Sequence, residues 1–450
     1  MEAPSLAADP AVPNAEDEQR LLRKVAWRLV PLIMTCFVVA YFDRVNISFA
    51  KLQMQSDLGF SDAAYGLGAS MFFVGYLLFE IPSNLILVRV GARRWIARIM
   101  ITWGMASSAM MFVQTETVFY VLRFSLGVLE AGFVPGVIYF FMQWFPAKQR
   151  GRINSFFFGA SALAGILGGP LAGGIMKYLA GVHGLTGWQW LFLLEGLPSI
   201  VLGFVVLFVL DDRIEDAKWL SAPEKTMLSN ALNREHKLHT SHSFGAALRQ
   251  PVTFMLSLIY LGLCAGIYGI FFWMPQLVRT AGSTDPLEIG LITMLPYFAA
   301  IIGIVLIGRS SDRTGERRWH LVGCVLAGLL GYVLCASFGD STILLLIGLS
   351  IATTGLISSF ALFWVYPPRV LTGVAAAGGI ALINSIGQFG GVFAPYMVGR
   401  VKDLTGSASM GLYAIAAVCG VAAVLIAWGL PRAIHFTESK ETSDASQQRA

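Results

Sequence analysis

Four ionisable side chains interrupt otherwise apolar stretches: Asp43 and Arg44 in Tyr41-Phe42-Asp43-Arg44-Val45-Asn46, and Arg123 and Glu130 in Arg123-Phe-Ser-Leu-Gly-Val-Leu-Glu130. A charge in hydrocarbon costs several kcal/mol unless it is paired or lines a cavity. Arg123 and Glu130 are seven residues apart, so on a helix they share one face, about 10 Å apart along the axis. Arginine keeps its charge when buried and grips a carboxylate through two parallel hydrogen bonds. A carboxyl in a dry cavity can take up and release a proton as its surroundings change. The four residues therefore offer an anion site and a proton site. A plainer reading is that they only pair with one another to hold a bundle together. Both can be true, since such pairs can break during a transport cycle.

Other polar residues are less pointed. Glu80 in Phe79-Glu80-Ile81-Pro82-Ser83-Asn84 and Glu195 in Leu194-Glu195-Gly196 lie nearer the ends of their apolar stretches, where a packing or capping role is favoured. The second half of the chain has almost no central charge but carries Tyr268, Trp273, Trp364, Tyr366, Asn384 and Gln388. Neutral donors and aromatic faces suit a pocket wall, although a single aromatic is more often packing or an interfacial anchor. Asn384 and Gln388 are one turn apart on one helix face.

The elements that must position these residues are membrane helices. Charged residues make up 13% of the chain, hydrophobic residues 56%, and mean hydropathy is +0.67; soluble domains carry about a quarter charged residues. A span needs about 20 apolar residues. That yardstick finds twelve, near 27–48, 63–88, 94–113, 118–141, 151–179, 188–210, 251–275, 287–308, 320–337, 341–364, 370–398 and 407–430. The expected fold is an all-α membrane protein with two pseudo-symmetric six-helix bundles, 27–210 and 251–430. These are flanked by cytoplasmic tails 1–26 and 431–450 and joined by a cytoplasmic linker, 211–250.

Of 32 Lys and Arg residues, and setting aside Arg44 and Arg123, the layout puts 25 on the linker side and five outside: Lys51, Lys177, Arg279, Arg400 and Lys402. That asymmetry satisfies the positive-inside rule with both termini cytoplasmic. The net charge of +5 is accounted for in this way, and no nucleic-acid partner is inferred from it. Residues 1–20 lack the apolar run of a secretory signal. Cys36, Cys264, Cys324, Cys335 and Cys419 lie in apolar segments without metal-site spacing and read as small core residues. His236, His239 and His242 in the linker lack the Cys or carboxylate that would complete a metal site, so a solvated loop is favoured and no metal is expected.

Two features repeat between the halves. Span five carries Gly165-Ile-Leu-Gly168-Gly169-Pro170-Leu-Ala-Gly173-Gly174, and span eleven carries Gly387-Gln-Phe-Gly390-Gly391-Val-Phe-Ala-Pro395. Small residues let helices approach closely, and two such halves suit alternating access. The loop after span eight, Gly308-Arg-Ser-Ser-Asp312-Arg313-Thr-Gly315-Glu-Arg317-Arg318, can act as a latch that breaks and reforms. Its counterpart, Asn84-Leu-Ile-Leu-Val88-Arg89-Val-Gly91-Ala-Arg93-Arg94, has Val88 in place of the acid and needs a different partner.

The loop at 308–318 matches the G-x-x-x-D-R-x-G-x-R-R signature of the major facilitator superfamily. Over residues 25 to 430 the chain resembles the superfamily's anion:cation symporter family, in Tyr41 to Asn46, Gly75-Tyr76 to Asn84, Gly127-Val-Leu-Glu130-Ala-Gly132-Phe-Val-Pro135-Gly136 and Asn384-Ser-Ile-Gly387-Gln388-Phe-Gly390-Gly391. Members take up organic anions such as tartrate, sugar acids, phthalate and hydroxyphenylacetate with protons. The resemblance implies that Arg44 and Arg123 hold the substrate carboxylate. Tyr41, Tyr76, Ser161, Trp364, Asn384 and Gln388 would shape the pocket, Asp43 and Glu130 would carry protons, and Asp312, Arg313, Gly315, Arg317, Arg89 and Gly91 would form latches. The implied protein sits in the bacterial cytoplasmic membrane, driven by a proton gradient without a cofactor, in an architecture that can act as a monomer.

Export by exchange is the alternative, prompted by the Gly/Pro run in span five, which resembles a motif common in antiporters. An enzyme would need a nucleophile with its base, or a metal cluster, at membrane depth, and a sensor would need a folded signalling domain in place of a polar linker of about 40 residues. The sequence shows neither. Phe360-Ala-Leu-Phe363-Trp364 leans slightly towards an aromatic acid.

Overall fold

The computed structural model describes residues 15–236, 251–367 and 374–430. His239, His242, the rest of linker residues 237–250, the start of span eleven and the C-terminal tail lie outside the described residues. Among those described there is no strand. The first half comprises α1 (Ala15–Leu58), α2 (Asp62–Val90), α3 (Ala92–Ala109), α4 (Glu116–Glu130), α5 (Phe133–Trp144), α6 (Ala147–Tyr178) and α7 (Gly187–Val209). Then come α8 (Ala222–His236), α9 (Pro251–Thr280), α10 (Pro286–Thr314), α11 (Arg318–Ser337), α12 (Thr342–Phe363), α13 (Val374–Thr405) and α14 (Ala408–Gly429).

Nine described helical stretches, counting 116–144 as one, are long and apolar enough to cross a membrane. The arginine-rich α3 and the glycine-rich α6 and α13 complete twelve. Helices α1 to α7 pack together, as do α9 to α14. The protein is thus the expected all-α membrane fold of two six-helix bundles, with the α1–α2, α6–α7, α9–α10 and α13–α14 turns on one face (the far face) and α8 on the opposite face (the linker face).

Three elements depart from the sequence reading. Helix α1 starts at Ala15, inside the expected tail, because Leu21, Leu22 and Val25 are buried. The linker is not a plain loop: α8 docks on the first bundle, where Lys24 Nζ lies 2.7 Å from Glu224 Oε1 and Trp144 stacks on Trp219 with ring centroids 5.8 Å apart. The hydrogen bond from Lys24 holds the Glu224 carboxyl below its ordinary value. That contact therefore stabilises the docked helix above the usual carboxylate range and is lost as the pH falls through it.

The third departure is span four, expected as a continuous 118–141, which breaks after Glu130. Gly132 takes φ 89°, a left-handed conformation that favours glycine. The carbonyl of Ala131, left without a helical partner, accepts from Ser83 Oγ at 2.6 Å, and Trp95 Nε1 donates to that same hydroxyl at 2.9 Å. A break in a membrane helix survives only where neighbours satisfy the freed backbone.

The glycine runs of spans five and eleven lie on the seam between the bundles. A Cβ on Gly169 would stand 2.6 Å from the Gly290 carbonyl oxygen, and one on Gly66 would stand 2.5 Å from that of Pro395. Helix α6 therefore lies directly against α10, and α2 against α13, without intervening side chains. The contacts run inwards from the far face, through Gly173 with Pro286 and Gly165 with Tyr297 on one side, and Gly399 with Asp62 and Gly391 with Phe73 on the other.

Candidate functional site

Arg44, Arg123 and Glu130 come together where α1, α2 and α4 meet. On α4 the buried residues Phe119, Arg123, Leu126, Gly127 and Glu130 form one helical stripe, which turns both charged groups inwards. Arg44 Nη2 donates to Glu130 Oε1. Arg123 Nε donates to the Gly68 carbonyl at 3.3 Å. Both guanidinium groups lie over the ring of Phe72, Arg44 at 5.3 Å and Arg123 at 5.1 Å from its centroid, and Arg44 is also 5.9 Å from that of Tyr76. Arg123 and Glu130 are 1% exposed, while the Arg44 side chain is 18% exposed, so solvent reaches the pair through Arg44. Arg44 Nε, Arg123 Nη2 and Glu130 Oε2 find no partner within the protein.

The second bundle supplies a neutral wall. Tyr268 of α9 donates to Gln388 Oε1 of α13 at 3.0 Å, and its ring lies 4.5 Å from that of Phe73. Tyr41 meets the edge of Phe271 at 5.6 Å. Asn384 Nδ2 donates across the seam to Glu80 Oε1 at 3.1 Å, and Glu80 Oε2 has no partner. Glu80 lies ten residues before the end of α2, so of the packing or capping role expected for it, capping does not describe it. It is a buried acid at the seam, and sequence spacing gave no sign of that because only the docking of α13 defines its neighbour.

Other expected site residues lie elsewhere. Asp43 points away from Arg44 into the interface of α1, α3 and α7, where it accepts from Trp103 Nε1 at 2.6 Å, Ser107 Oγ at 2.6 Å and Ser199 Oγ at 2.8 Å. Adjacent residues on a helix diverge by about 100°, which is how neighbours in sequence serve two compartments. Trp364 packs on Tyr260 at 4.9 Å, in a cluster with Phe360 and Phe363. Ser161 is half-buried on α6, one turn from the Gly165–Tyr297 contact.

The far face is closed by charge as well as by glycine. Lys51 Nζ lies 2.7 Å from Asp62 Oδ1 and 3.5 Å from the centroid of the Trp273 ring, and Lys402 Nζ lies 2.8 Å from Asp62 Oδ2. Asp403 accepts from the Asp62 and Ala63 backbone N–H groups at 3.2 and 2.8 Å. Lys177 pairs with Asp285, and Arg279 donates to the Leu52 carbonyl. All of these contacts except Lys51–Asp62 join one bundle to the other.

At the linker face, Arg317 Nη2 donates to Asp312 Oδ1 at 2.7 Å around Gly315, which takes φ 67°. Arg313 lies in the last turn of α10, and Arg89 is exposed in the last turn of α2. The acid missing from the first-bundle counterpart is supplied from a distance. Asp212, beyond α7, lies against Gly91 and accepts from the Arg93 backbone N–H at 2.7 Å, while Arg93 Nε donates to the Leu207 carbonyl at 2.6 Å.

The sequence profile described as Major Facilitator Superfamily matches residues 33–395. A "Putative tartrate transporter" of Agrobacterium vitis is 47% identical over 93% of this chain and 94% of its own length. A "Quinolone resistance transporter" of Acinetobacter baumannii is 41% identical over 89% of this chain and 93% of its own. Among solved structures, the xylose transporter XylE of E. coli in a partially occluded inward-open conformation superposes with a TM-score of 0.73 at 14% identity, covering 92% of this chain and all of that one. That likeness shows the fold alone, whereas the profile and the two full-length relatives carry the assignment: the chain belongs to the major facilitator superfamily and is a membrane transporter of small solutes.

Proposed function

We propose that this transporter carries a small organic carboxylate together with protons, with Arg44 and Arg123 holding the carboxylate and Glu130 taking a proton. The observation that carries this reading is a charge imbalance: two arginines lie near one carboxylate, Glu130, which Arg44 contacts, and both retain a buried N–H without an acceptor. An uncompensated buried charge is costly, and an anionic substrate would offset it. A dicarboxylate bound while Glu130 is protonated would leave the cavity neutral, which supports coupling anion to proton. Tyr76, Tyr268, Gln388 and Asn384 would line the remainder, and the site is complete within one chain.

With the far face shut, the partly exposed Arg44 would be reached from the linker face, which the positive-inside rule makes cytoplasmic. Such access would suit the cytoplasm-facing end of an import cycle in a bacterial inner membrane. The name of the quinolone-resistance relative favours a second reading, export, in which the same cavity loads from inside.

Binding is tested by thermal unfolding of the detergent-purified protein with L-tartrate, galactonate, phthalate and hydroxyphenylacetate. A ligand at a hundred times its Kd stabilises by about 2.7 kcal/mol. At least one acid should raise the Tm of the wild type and none should raise that of Arg123→Ala; stabilisation of both proteins alike would refute the arginine site.

A further inference from the structure

Glu195 stands eight residues inside α7, so of the packing or capping role expected from sequence, capping does not describe it. It is 4% exposed, takes part in none of the ion pairs among the described residues, and Oε2 has no partner. Its neighbours explain why a polar group survives there. Gly104 of α3 and Gly196 of α7 cross closely: a Cβ on Gly104 would stand 2.7 Å from the Gly196 carbonyl oxygen, and one on Gly196 would stand 2.5 Å from Ser108 Oγ. Two missing side chains thus press α3 onto α7 and bring polar groups into the contact. Ser108 Oγ and Asn46 Oδ1, both buried there, also lack partners.

Asp43 is the titratable group facing Glu195 from α1, and Asn46 lies beside both acids, its Nδ2 standing 3.4 Å from Asp43 Oδ1. From α3 come Trp103, Ser107 and Ser108, none of them charged, and α7 adds Ser199. Trp103, Ser107 and Ser199 all aim their donors at Asp43, which favours the ionised form of Asp43 over that of Glu195. Glu195 receives no comparable set.

We propose that Glu195 is a proton-binding residue inside the first bundle, separate from the Arg44–Glu130 cavity, and that it exchanges its proton during the transport cycle. Among the described residues no cation pairs with either acid, Arg123 acting on Asp43 only from a distance, and two unpaired carboxylates in one dry interface cannot both stay ionised, so in this arrangement Glu195 holds a proton beside ionised Asp43. Asp43 precedes Arg44 on α1, so any movement of α1 that rearranges Arg44 also shifts the Asp43 charge relative to Glu195. That linkage would let substrate binding at the cavity drive proton release from Glu195. The coupling half rests on the carboxylate–proton reading above; the protonation half does not.

The test has two arms. Infrared spectra of the purified, substrate-free protein at neutral pH should contain a protonated-carboxyl C=O band that disappears in Glu195→Gln, and in Asp43→Asn that band should be lost at a pH at least one unit lower. The second arm reads protons per substrate from pH-electrode traces in proteoliposomes, with L-tartrate or whichever acid raises the Tm. Glu195→Gln, a permanently neutral isostere, should take up one proton fewer per substrate while still exchanging labelled for unlabelled substrate. An unchanged band in Glu195→Gln would overturn protonation. A lost band with an unchanged proton ratio would overturn exchange and leave Glu195 a static hydrogen-bonding group. If no acid is transported, the carboxylate reading fails by itself, while the infrared arm still decides protonation.

Discussion

At the scale of single residues, the two acids on the inner side of the first bundle are in different surroundings. Glu130 shares its carboxylate with Arg44 and keeps one oxygen free, whereas Asp43 has both oxygens filled by donors from two other helices, α3 and α7. We therefore expect Glu130→Gln to abolish accumulation of substrate driven by a pH gradient while sparing exchange of labelled for unlabelled substrate, because Gln keeps the side chain's shape but cannot cycle a proton. Loss of exchange and accumulation together would make Glu130 a binding or structural group instead. The sequence supplied the identities here, since charged residues in apolar stretches are conspicuous. It did not supply their directions: Asp43 and Arg44 are neighbours in the chain yet face different compartments, and Glu80 and Glu195 gain importance only from Asn384 and Gly104 on other helices.

At the scale of elements, the glycines decide how the bundles meet. Sequence reading placed the runs in spans five and eleven and expected close helix packing. The structure adds that much of this packing is between bundles, along α6–α10 and α2–α13, while Gly387 and Gly390 pack on α9 of their own bundle. The break between α4 and α5 was not legible, because Ala131-Gly132 looks like ordinary small-residue sequence until Ser83 is seen to accept the role of backbone partner. Gly290→Leu would drive a side chain into the Gly169 carbonyl and should disfavour the closed far face. On a background without the five cysteines, spin labels at Ser56→Cys and Leu404→Cys, on opposite bundles at the far face, should move apart by several Å in Gly290→Leu, roughly the scale of a bundle rotation. An unchanged distance would show that the seam does not set the conformation.

At the scale of the whole molecule, the machinery is unequal. The first bundle holds every charged group of the cavity, and the second presents Tyr268, Asn384 and Gln388. Such a division suits a carrier in which one bundle binds and the other closes over the ligand. The buried Lys51, held by Asp62 and covered by Trp273, marks the far-face closure that must open in the other half of the cycle. The twelve spans were readable from hydropathy alone, because the bilayer fixes span length. The docking of α8 through Lys24 and Trp219 was not, since an amphipathic segment does not name its partner. The central claim is that proton movement and carboxylate movement are one event. Its most direct test is uptake of labelled L-tartrate into proteoliposomes with an imposed inside-alkaline pH gradient, with and without a protonophore. The account predicts accumulation above the external concentration that collapses when the protonophore is added and is absent in Glu130→Gln; accumulation that is unaffected by the protonophore would contradict it.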